Sequence, residues 1–270
     1  MKTIEYESLK TFGYALLKNV IPAELLKSIK IRLETQVIEE GLNNTLFHSQ
    51  EDQIILKNVF IKSPELFLPL LDLEGVTSIL NDVFKDGYTL QSMNASRANS
   101  INEKDHELFA HTDSRLPSKG IEHTLALGIA FCIDEFTEKN GATRVWPFSH
   151  LSGLRPEEAQ KDGLILPPPI LIEAKPGDAF IFLGHLWHAV GPNRTNNSRW
   201  GIFTFFNPWW IKPTWDYKEC GEKIFSLLTD HQKKLFGFTT QTPLMNSSRT
   251  LTKTKIEDLP KEYFKAKKIE

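Results

Sequence analysis

Cysteine is scarce in this sequence, which has only Cys132 and Cys220 among 270 residues. The two lie far apart and neither belongs to a Cys-x-x-Cys pair, so neither a disulfide framework nor a structural zinc site is expected. An excess of charge of one sign is also missing, because 32 basic residues stand against 34 acidic ones. Without a general basic field, nucleic acid is excluded as the expected partner and a small molecule is favoured.

Long apolar runs are missing as well. Residues 1–7 lack the apolar stretch of a secretory signal peptide, and no window approaches the length of a membrane span. A cytoplasmic protein without a membrane anchor is therefore expected. Hydrophobic residues nevertheless make up 40% of the 270-residue chain, which is enough for a sizeable core in one barrel- or sandwich-type domain over residues 1–270.

Helical patterns dominate the N-terminal third, where a helical buttress is predicted over about residues 20–85. The apolar positions of the main helix, Leu25, Ile29 and Leu33, fall on one face, and Pro22 suits its first turn. The predicted elements are a strand over 11–20, a helix over 22–39, an irregular stretch over 42–64, and helices over 65–73 and 76–83 separated by Gly75.

Short strands separated by turns dominate the middle of the chain. They are predicted over 88–96, 109–114, 124–133, 142–147, 179–190 and 200–206. This pattern predicts a mainly β fold with flanking helices, whose jelly-roll or cupin-like core covers about 88–210. The charged, proline-rich stretch 151–169 is a candidate lid, and the extension 211–270 carries one helix over 218–236 and a Lys/Glu-rich tail.

One short motif has the chemistry of a metal site. His111 and Asp113 stand two residues apart in the predicted strand 109–114, so their side chains leave the same face. A second imidazole from a neighbouring strand would complete a 2-His-1-carboxylate triad. Such a triad covers one face of an octahedral metal, leaves the other positions open and suits Fe(II) and oxygen chemistry.

Two histidines compete to supply the second imidazole. His185 and His188 are three residues apart on the predicted strand 179–190, so they face opposite ways and only one can join the triad. The residues alone leave this choice open. After a short hairpin, Arg199 is expected beside the strand that bears His188, where its planar guanidinium suits two-pronged pairing with the carboxylate of an oxo-acid.

Together these motifs resemble the phytanoyl-CoA dioxygenase-like branch of the Fe(II)/2-oxoglutarate-dependent oxygenases. In that family a His-x-Asp motif precedes an Asn-Gly turn, a Pro-x-Ser-His block, a Gly-Asp turn, and a His with Gly-Pro-Asn and a later Arg. The matching positions, in the same order, are His111-Thr112-Asp113, Asn140-Gly141, Pro147-Phe148-Ser149-His150, Gly177-Asp178, His188, Gly191-Pro192-Asn193 and Arg199. Arg199 follows His188 by eleven positions, as in the family, and Phe12-Gly13-Tyr14 extends the resemblance towards the N-terminus.

The resemblance implies a double-stranded β-helix core that holds iron through His111, Asp113 and His188. The family register favours His188 over His185. The resemblance also implies that Arg199 binds the distal carboxylate of 2-oxoglutarate. The implied reaction uses O2 and 2-oxoglutarate to oxidise a C–H bond, chiefly as a hydroxylation, with succinate and CO2 as co-products.

Other positions are carried over from the family with alternatives beside them. Met93 and Asn94 occupy the strand that lines the co-substrate site in similar enzymes, although a core methionine and a turn-capping asparagine are the alternative. Phe148 stands where the family usually has glycine, and Ala130 lies near where some members have a tryptophan that lines the site. Aromatic residues after the last core strand either wall a substrate pocket or belong to the core; they are Trp209, Trp210 and Trp215.

The substrate does not follow from these motifs. Acyl-CoA would require basic surface for its phosphates, and the sequence has no clear basic cluster, so a small metabolite or natural-product intermediate is favoured. A lipid or acyl-CoA substrate remains an alternative. A catalytically silent jelly-roll that binds a metabolite is another, but it would be expected to lack a metal ligand or Arg199.

Overall fold

The structure is a computed structural model that describes residues 3–43, 45, 47–50, 53–85, 87–101, 109–116, 123–165 and 167–238. The predicted tail lies outside these residues. The prediction of a single domain over residues 1–270 extends beyond them and stays a prediction.

Seven helices and ten strands make up the described part of the chain. The helices are α1 Ile4–Phe12, α2 Ala23–Leu42, α3 Pro64–Phe67, α4 Glu74–Val83, α5 Pro156–Lys161, α6 Gly221–Leu227 and α7 Asp230–Leu235. The strands are β1 Tyr14–Leu17, β2 Phe47–Gln50, β3 Gln53–Leu56, β4 Tyr88–Ala98, β5 Leu127–Cys132, β6 Arg144–Val145, β7 Ile170–Leu171, β8 Ala179–Leu183, β9 His188–Ala189 and β10 Arg199–Pro208. Short 3-10 turns lie at Val59–Ile61, Leu68–Asp72, Ser149–Leu151 and Tyr217–Cys220.

The predicted strand over residues 11–20 is wrong in its first part, because the chain there ends helix α1. Thr3 caps the start of α1 by accepting the N–H of Tyr6 at 3.2 Å. Gly13 ends it in the left-handed conformation (φ 87°), with its N–H donated to Leu9. Only Tyr14–Leu17 is a strand.

Two helix predictions also differ from the structure. Gly75 was expected to separate two helices, but it lies in the first turn of α4. The break comes earlier, at Leu73, which is extended and follows the 3-10 turn. The single helix expected over 218–236 is a 3-10 turn followed by α6 and α7. Thr229 starts α7 with a capping box that includes Gln232, which breaks the helix there.

The strands form two antiparallel sheets that face each other. The seven-stranded sheet has the order β1-β8-β5-β10-β4-β3-β2, and the three-stranded sheet has the order β7-β6-β9. Helices cover the outer face of the large sheet and enclose the main hydrophobic core with it. The prediction of a mainly β, double-stranded β-helix fold with flanking helices is confirmed.

Alternation along β10 decides which side chains face the interior between the sheets. Trp200 and Ile202 pack into the helix-side core, and the Trp200 indole N–H donates to Glu34 at 2.7 Å. Arg199, Phe203 and the residues in phase with them therefore lie on the opposite, inner face.

The predicted strand 179–190 is two strands in different sheets, because the chain turns after Leu183. The turn is closed by the N–H of Leu186, which donates to the Leu183 carbonyl at 2.9 Å. The opposite-face argument for His185 and His188 therefore does not hold. Arg199 is also not beside the strand of His188, since β10 pairs with β4 and β5 while β9 pairs with β6. His188 and Arg199 lie in sheets that face each other.

The candidate lid is a packed cover on the outer side of the small sheet. Ala159 of α5 is fully buried in a cluster with Trp146 and Trp187. The indole N–H groups of these two tryptophans donate to the carbonyls of Pro167 at 2.7 Å and Leu154 at 2.8 Å. These contacts fix the segment to the sheet that carries His188.

Phe148 has a positive φ of 68°, which explains why glycine suits this position in the family pattern. Its ring packs edge-on against Phe12 with centroids 5.3 Å apart, and its N–H donates to the Phe12 carbonyl at 3.2 Å. These contacts hold the unfavourable backbone conformation.

Within the part of the chain that the structure covers, no helix is long and apolar enough to cross a membrane.

The Gly177-Asp178 turn joins the start of β8 to the end of β1. The Asp178 carboxylate accepts the backbone N–H groups of Asn19 at 2.8 Å and Lys175 at 3.0 Å, and it pairs with Lys18 at 3.0 Å. Burial raises the pKa of Asp178, but these donors outweigh burial and bring the pKa below its ordinary value.

We predict that Asp178→Asn lowers the free energy of unfolding by about 1–3 kcal/mol at pH 7, since the carboxylate accepts charge-assisted bonds. A lowered folded-state pKa means that this stability is present above the unfolded carboxyl pKa and is lost as the pH falls through the folded one. In urea unfolding, the free energy of unfolding of Asp178→Asn should therefore be lower than that of the unsubstituted protein at pH 7, and this difference should become smaller below about pH 5. Lys18→Met, at a side chain that is 61% exposed, should change little. A deficit independent of pH would contradict this account.

Candidate metal centre

A backbone bridge brings the first and last residues of the predicted triad together. The N–H of His111 donates to the His188 carbonyl at 2.9 Å, and the N–H of His188 donates to the His111 carbonyl at 3.0 Å. The expected strand 109–114 is only this isolated bridge, and Asp113 lies in a bend after it. Directly opposed residues place their side chains close together, so the two imidazoles are neighbours.

The three side chains converge through atoms that bind metals. The Nε2 atoms of His111 and His188 lie 3.7 and 3.3 Å from the Asp113 carboxylate oxygens. The ligand atoms of the three residues all lie within 4.8 Å of one another. This donor set, two imidazoles and one carboxylate on one side, fits a divalent first-row metal with open positions.

Backbone carbonyls set the orientation of both imidazoles. Nδ1 of His111 lies 3.2 Å from the Phe109 carbonyl, and Nδ1 of His188 lies 3.0 Å from the Leu186 carbonyl. Because a carbonyl only accepts, each Nδ1 carries the proton and each Nε2 keeps its lone pair for a metal. Phe182 packs behind His188 with ring centroids 5.0 Å apart. Gly128 leaves room for it, since a Cβ there would lie 2.3 Å from that ring.

The electrostatics of the metal-free centre couple the three residues. Burial lowers the pKa of His188, but the Asp113 carboxylate outweighs burial and raises it overall. Burial and the nearby His188 hold the pKa of His111 below its ordinary value. Burial raises the pKa of Asp113, yet the charge and hydrogen bond of His188 and the charge of His111 together outweigh burial and leave that pKa lowered. Because the pKa of His188 is raised, a metal competes with a proton for its Nε2 atom.

The competing histidines have other partners. His185 directs Nε2 at the Leu116 carbonyl at 2.8 Å. His150 directs Nε2 at the Lys10 carbonyl at 3.2 Å. Neither residue belongs to the group of metal-binding side chains among the described residues.

Arg199 is a buried cation with a free donor. Only 4% of it is exposed, and its Nη1 has no hydrogen-bond partner among the residues that the structure covers. Its Nε donates to the Asn140 carbonyl at 3.2 Å, and its guanidinium lies 4.0 Å from the centre of the Phe136 ring. Burial lowers the pKa of Arg199 to about 10, which leaves it charged at neutral pH. An unpaired charge held in this way is suited to a carboxylate ligand.

The Asn140-Gly141 turn and the Gly191-Pro192-Asn193 loop together hold this arginine. Gly141 has a φ of 83°, and a Cβ there would lie 2.3 Å from the Gly191 carbonyl oxygen. Asn140 and Asn193 are bridged, and the Asn193 amide donates to the Ala98 carbonyl at 3.1 Å. Ala98 is the residue paired with Arg199. Sequence reasoning missed Phe136, because the stretch 134–140 reads as a polar loop.

The prediction that Met93 lines the co-substrate site is wrong. Ala98 pairs with Arg199 and shares its face, so Met93, five residues earlier on β4, points to the other face. It is fully buried in the helix-side core. Asn94 does lie on the inner face, where its side-chain oxygen accepts the N–H of Asn58 at 3.0 Å. Trp210 and Trp215 are 58% and 39% exposed, which excludes them from the core.

The family model for phytanoyl-CoA dioxygenase matches residues 9–201, which is more than half of the chain. The chain belongs to this family of Fe(II)/2-oxoglutarate-dependent oxygenases. The match spans His111, Asp113, His188 and Arg199, and the predicted family is confirmed. The matched region also contains the Asn140-Gly141 and Gly191-Pro192-Asn193 motifs, which contact each other in the structure.

Relatives and solved structures agree with the family. Dioxygenase trt7 of Aspergillus terreus is 27% identical over 252 residues, covering 87% of this chain and 83% of that protein. HygX from Streptomyces hygroscopicus, solved with nickel, 2-oxoglutarate and hygromycin B bound, has a TM-score of 0.61 at 15% identity and covers 80% of this chain and 90% of its own. The epimerase SnoN, solved with Fe3+, alpha ketoglutarate and nogalamycin RO, has a TM-score of 0.62 at 15% identity. The match covers 76% of this chain and 82% of the SnoN chain. These likenesses confirm the fold.

We predict that metal affinity at the centre rises with pH. Because the raised pKa of His188 makes the metal displace a proton, affinity should increase by about tenfold per pH unit below that pKa. Calorimetric titration of the metal-free protein with Ni(II), in two buffers of different ionisation enthalpy, counts the released protons. His111→Ala and Asp113→Ala should abolish tight binding.

Cys220→Ser is the matched control for this titration. It removes a half-buried thiol that lies outside the centre, so its Ni(II) affinity should equal that of the unsubstituted protein. Tight binding that survives Asp113→Ala would contradict the assigned ligand set.

Proposed function

We propose that this protein is a dioxygenase that uses Fe(II), 2-oxoglutarate and O2 to oxidise a C–H bond of a small metabolite or natural-product intermediate, chiefly by hydroxylation. The observation that carries the proposal is the pairing of two sites. A converging His111, Asp113 and His188 set lies in one part of the interior, and a buried Arg199 with an unpaired donor lies on the facing sheet.

Each residue has a defined role in this proposal. His111, Asp113 and His188 hold Fe(II) through two Nε2 atoms and one carboxylate oxygen. Arg199 binds the distal carboxylate of 2-oxoglutarate, which supplies the counter-charge that the protein lacks there. Bound iron and 2-oxoglutarate supply the oxidising chemistry, in which O2 is consumed and succinate and CO2 are released.

The protein's own part is to position and to exclude water. Phe136 and the Asn140 carbonyl fix the plane of the Arg199 guanidinium before any ligand arrives. Apolar inner-face residues, among them Phe180, Phe182 and Val145, form a cluster beside the centre that keeps the interior dry. A preorganised, dry site strengthens the pairing of Arg199 with a carboxylate.

Two alternatives are weakened by these residues. A silent metabolite-binding scaffold was expected to lack a metal ligand or the arginine, but all four residues are present. A cupin-like metalloenzyme without a co-substrate would have no use for a buried, unpaired Arg199. The substrate class is supported by the relatives, since HygX and SnoN were solved with the natural products hygromycin B and nogalamycin RO.

Turnover of 2-oxoglutarate tests the proposal. Iron-loaded protein, 2-oxoglutarate and a panel of candidate metabolites should give O2-dependent succinate, measured by mass spectrometry. Arg199→Gln should weaken 2-oxoglutarate binding by about a hundredfold, because it removes one partner of a buried charge pair. Failure of the iron-loaded protein to bind 2-oxoglutarate would overturn the proposal.

Phe136→Leu tests the support of Arg199 separately. The ring lies against a desolvated guanidinium, so its loss should weaken 2-oxoglutarate binding by about tenfold while the metal affinity stays the same. Calorimetry of the Ni(II)-loaded protein with 2-oxoglutarate measures both. Phe131→Leu is the matched control, because Phe131 is equally buried but packs on the helix side. Equal losses in both variants would contradict a positioning role for Phe136.

A further inference from the structure

A cavity lies at the end of the large sheet where β5 begins and β8 and β10 end. Its volume is about 660 Å³, a size typical of pockets for small organic ligands. Helix α1, the end of α4 and the turn after β8 enclose it. None of the residues that line it is His111, Asp113, His188 or Arg199, so it is distinct from the metal centre.

Basic and apolar side chains both line the cavity. No acidic side chain is among the described lining residues. The basic members come from separate parts of the chain and are Lys10, Lys85, His123, His150 and His185. Neither Lys10 nor Lys85 has an ion-pair partner within the residues that the structure covers. The positive charge of this lining comes from the two lysines, because burial holds the pKa of His150 below its ordinary value. The protein as a whole carries a net charge of −2, so this positive charge is local.

The apolar lining residues suit a ligand with a flat or bulky hydrocarbon body. Val83, Phe84 and Leu183 contribute aliphatic and aromatic surface, and Trp210 lines the cavity with an indole that is 58% exposed. An exposed tryptophan beside lysines is a surface on which an aromatic or polycyclic anion gains both apolar contact and charge pairing.

One wall of this cavity belongs to the loop that ends in a metal ligand. His185 lines the cavity, and His188 follows it by three residues, a span of at most about 11 Å. The same wall contacts the His111–Asp113 segment, because Ser114 donates its N–H to the Gly184 carbonyl at 2.9 Å. The cavity wall and the segment that carries His111 and Asp113 are therefore hydrogen-bonded neighbours.

We propose that this cavity anchors the substrate through an anionic head, a carboxylate or a phosphate ester, attached to an apolar body. The proposal rests on the proposed oxygenase function and names the substrate class for it. Lys10 and Lys85 pair with the head, and Trp210 packs on the body. The sequence alone shows no such basic cluster because its members are separated by up to 175 positions, from Lys10 to His185.

Three probes with one ring system test the anchor. Metal-free protein is titrated with 2-naphthoate, 2-naphthyl phosphate and the neutral 2-naphthamide, and dissociation constants are measured by calorimetry. At least one anion should bind about fivefold or more tightly than the amide, as expected for two partly exposed charge pairs. The tighter of the two anions identifies the head group as a carboxylate or a phosphate ester.

Variants locate the binding and separate it from the catalytic account. The double variant Lys10→Gln/Lys85→Gln should lose the preference for the anion, whereas Lys27→Gln/Lys223→Gln, with the same charge change at exposed positions elsewhere, should keep it. Arg199→Gln should also keep it, since the probe does not occupy the 2-oxoglutarate site.

Either of two results would overturn the proposal. One is an amide that binds as tightly as both anions, and the other is a preference that Lys10→Gln/Lys85→Gln leaves intact. Because these titrations need neither iron nor 2-oxoglutarate, their failure leaves the oxygenase assignment standing. Loss of 2-oxoglutarate binding with normal probe binding would count against the oxygenase assignment alone.

Discussion

A cation buried without a counter-ion is the constraint on which the account of this protein depends. Removing a guanidinium from water costs several kcal/mol unless a partner compensates. Within the described residues, Arg199 contacts a carbonyl and an aromatic face, and the charge of Asp134 acts on it without forming an ion pair. A structure that keeps such a charge is arranged for an anion that arrives from outside. The turn at Gly141, the loop at Asn193 and the ring of Phe136 all hold that guanidinium in place.

The two facing sheets explain how the proposed metal ligands and the arginine come to share one interior. β10 carries Arg199 in the large sheet, and the small sheet carries His188 on β9. Two backbone hydrogen bonds then fix His111 opposite His188, which brings Asp113 within reach of both imidazoles. Sheet pairing thus positions ligands from distant parts of the sequence without any long loop having to fold on its own.

The sequence predicted the chemistry of the site better than its local structure. Residue types at family spacing predicted a triad whose three side chains converge in the structure, and an arginine that is buried in the same interior, because those motifs depend on order along the chain. The strand geometry used to justify them was wrong, since the turn after Leu183 moves His188 into another sheet and such a turn has no strong sequence signal. Met93 was misplaced because the strand face could not be fixed without the pairing of Ala98 with Arg199. Phe136 and the basic cavity depend on contacts between distant segments, which no local pattern records.

The most direct test is anaerobic addition of Fe(II) and 2-oxoglutarate to the metal-free protein, followed by visible absorption spectroscopy. The account predicts a weak metal-to-ligand charge-transfer band in the unsubstituted protein. Asp113→Ala and Arg199→Gln should lose or weaken the band, and Met93→Leu, on the opposite face of the sheet, should keep it. A folded, iron-loaded protein that shows no band with 2-oxoglutarate would contradict the central claim.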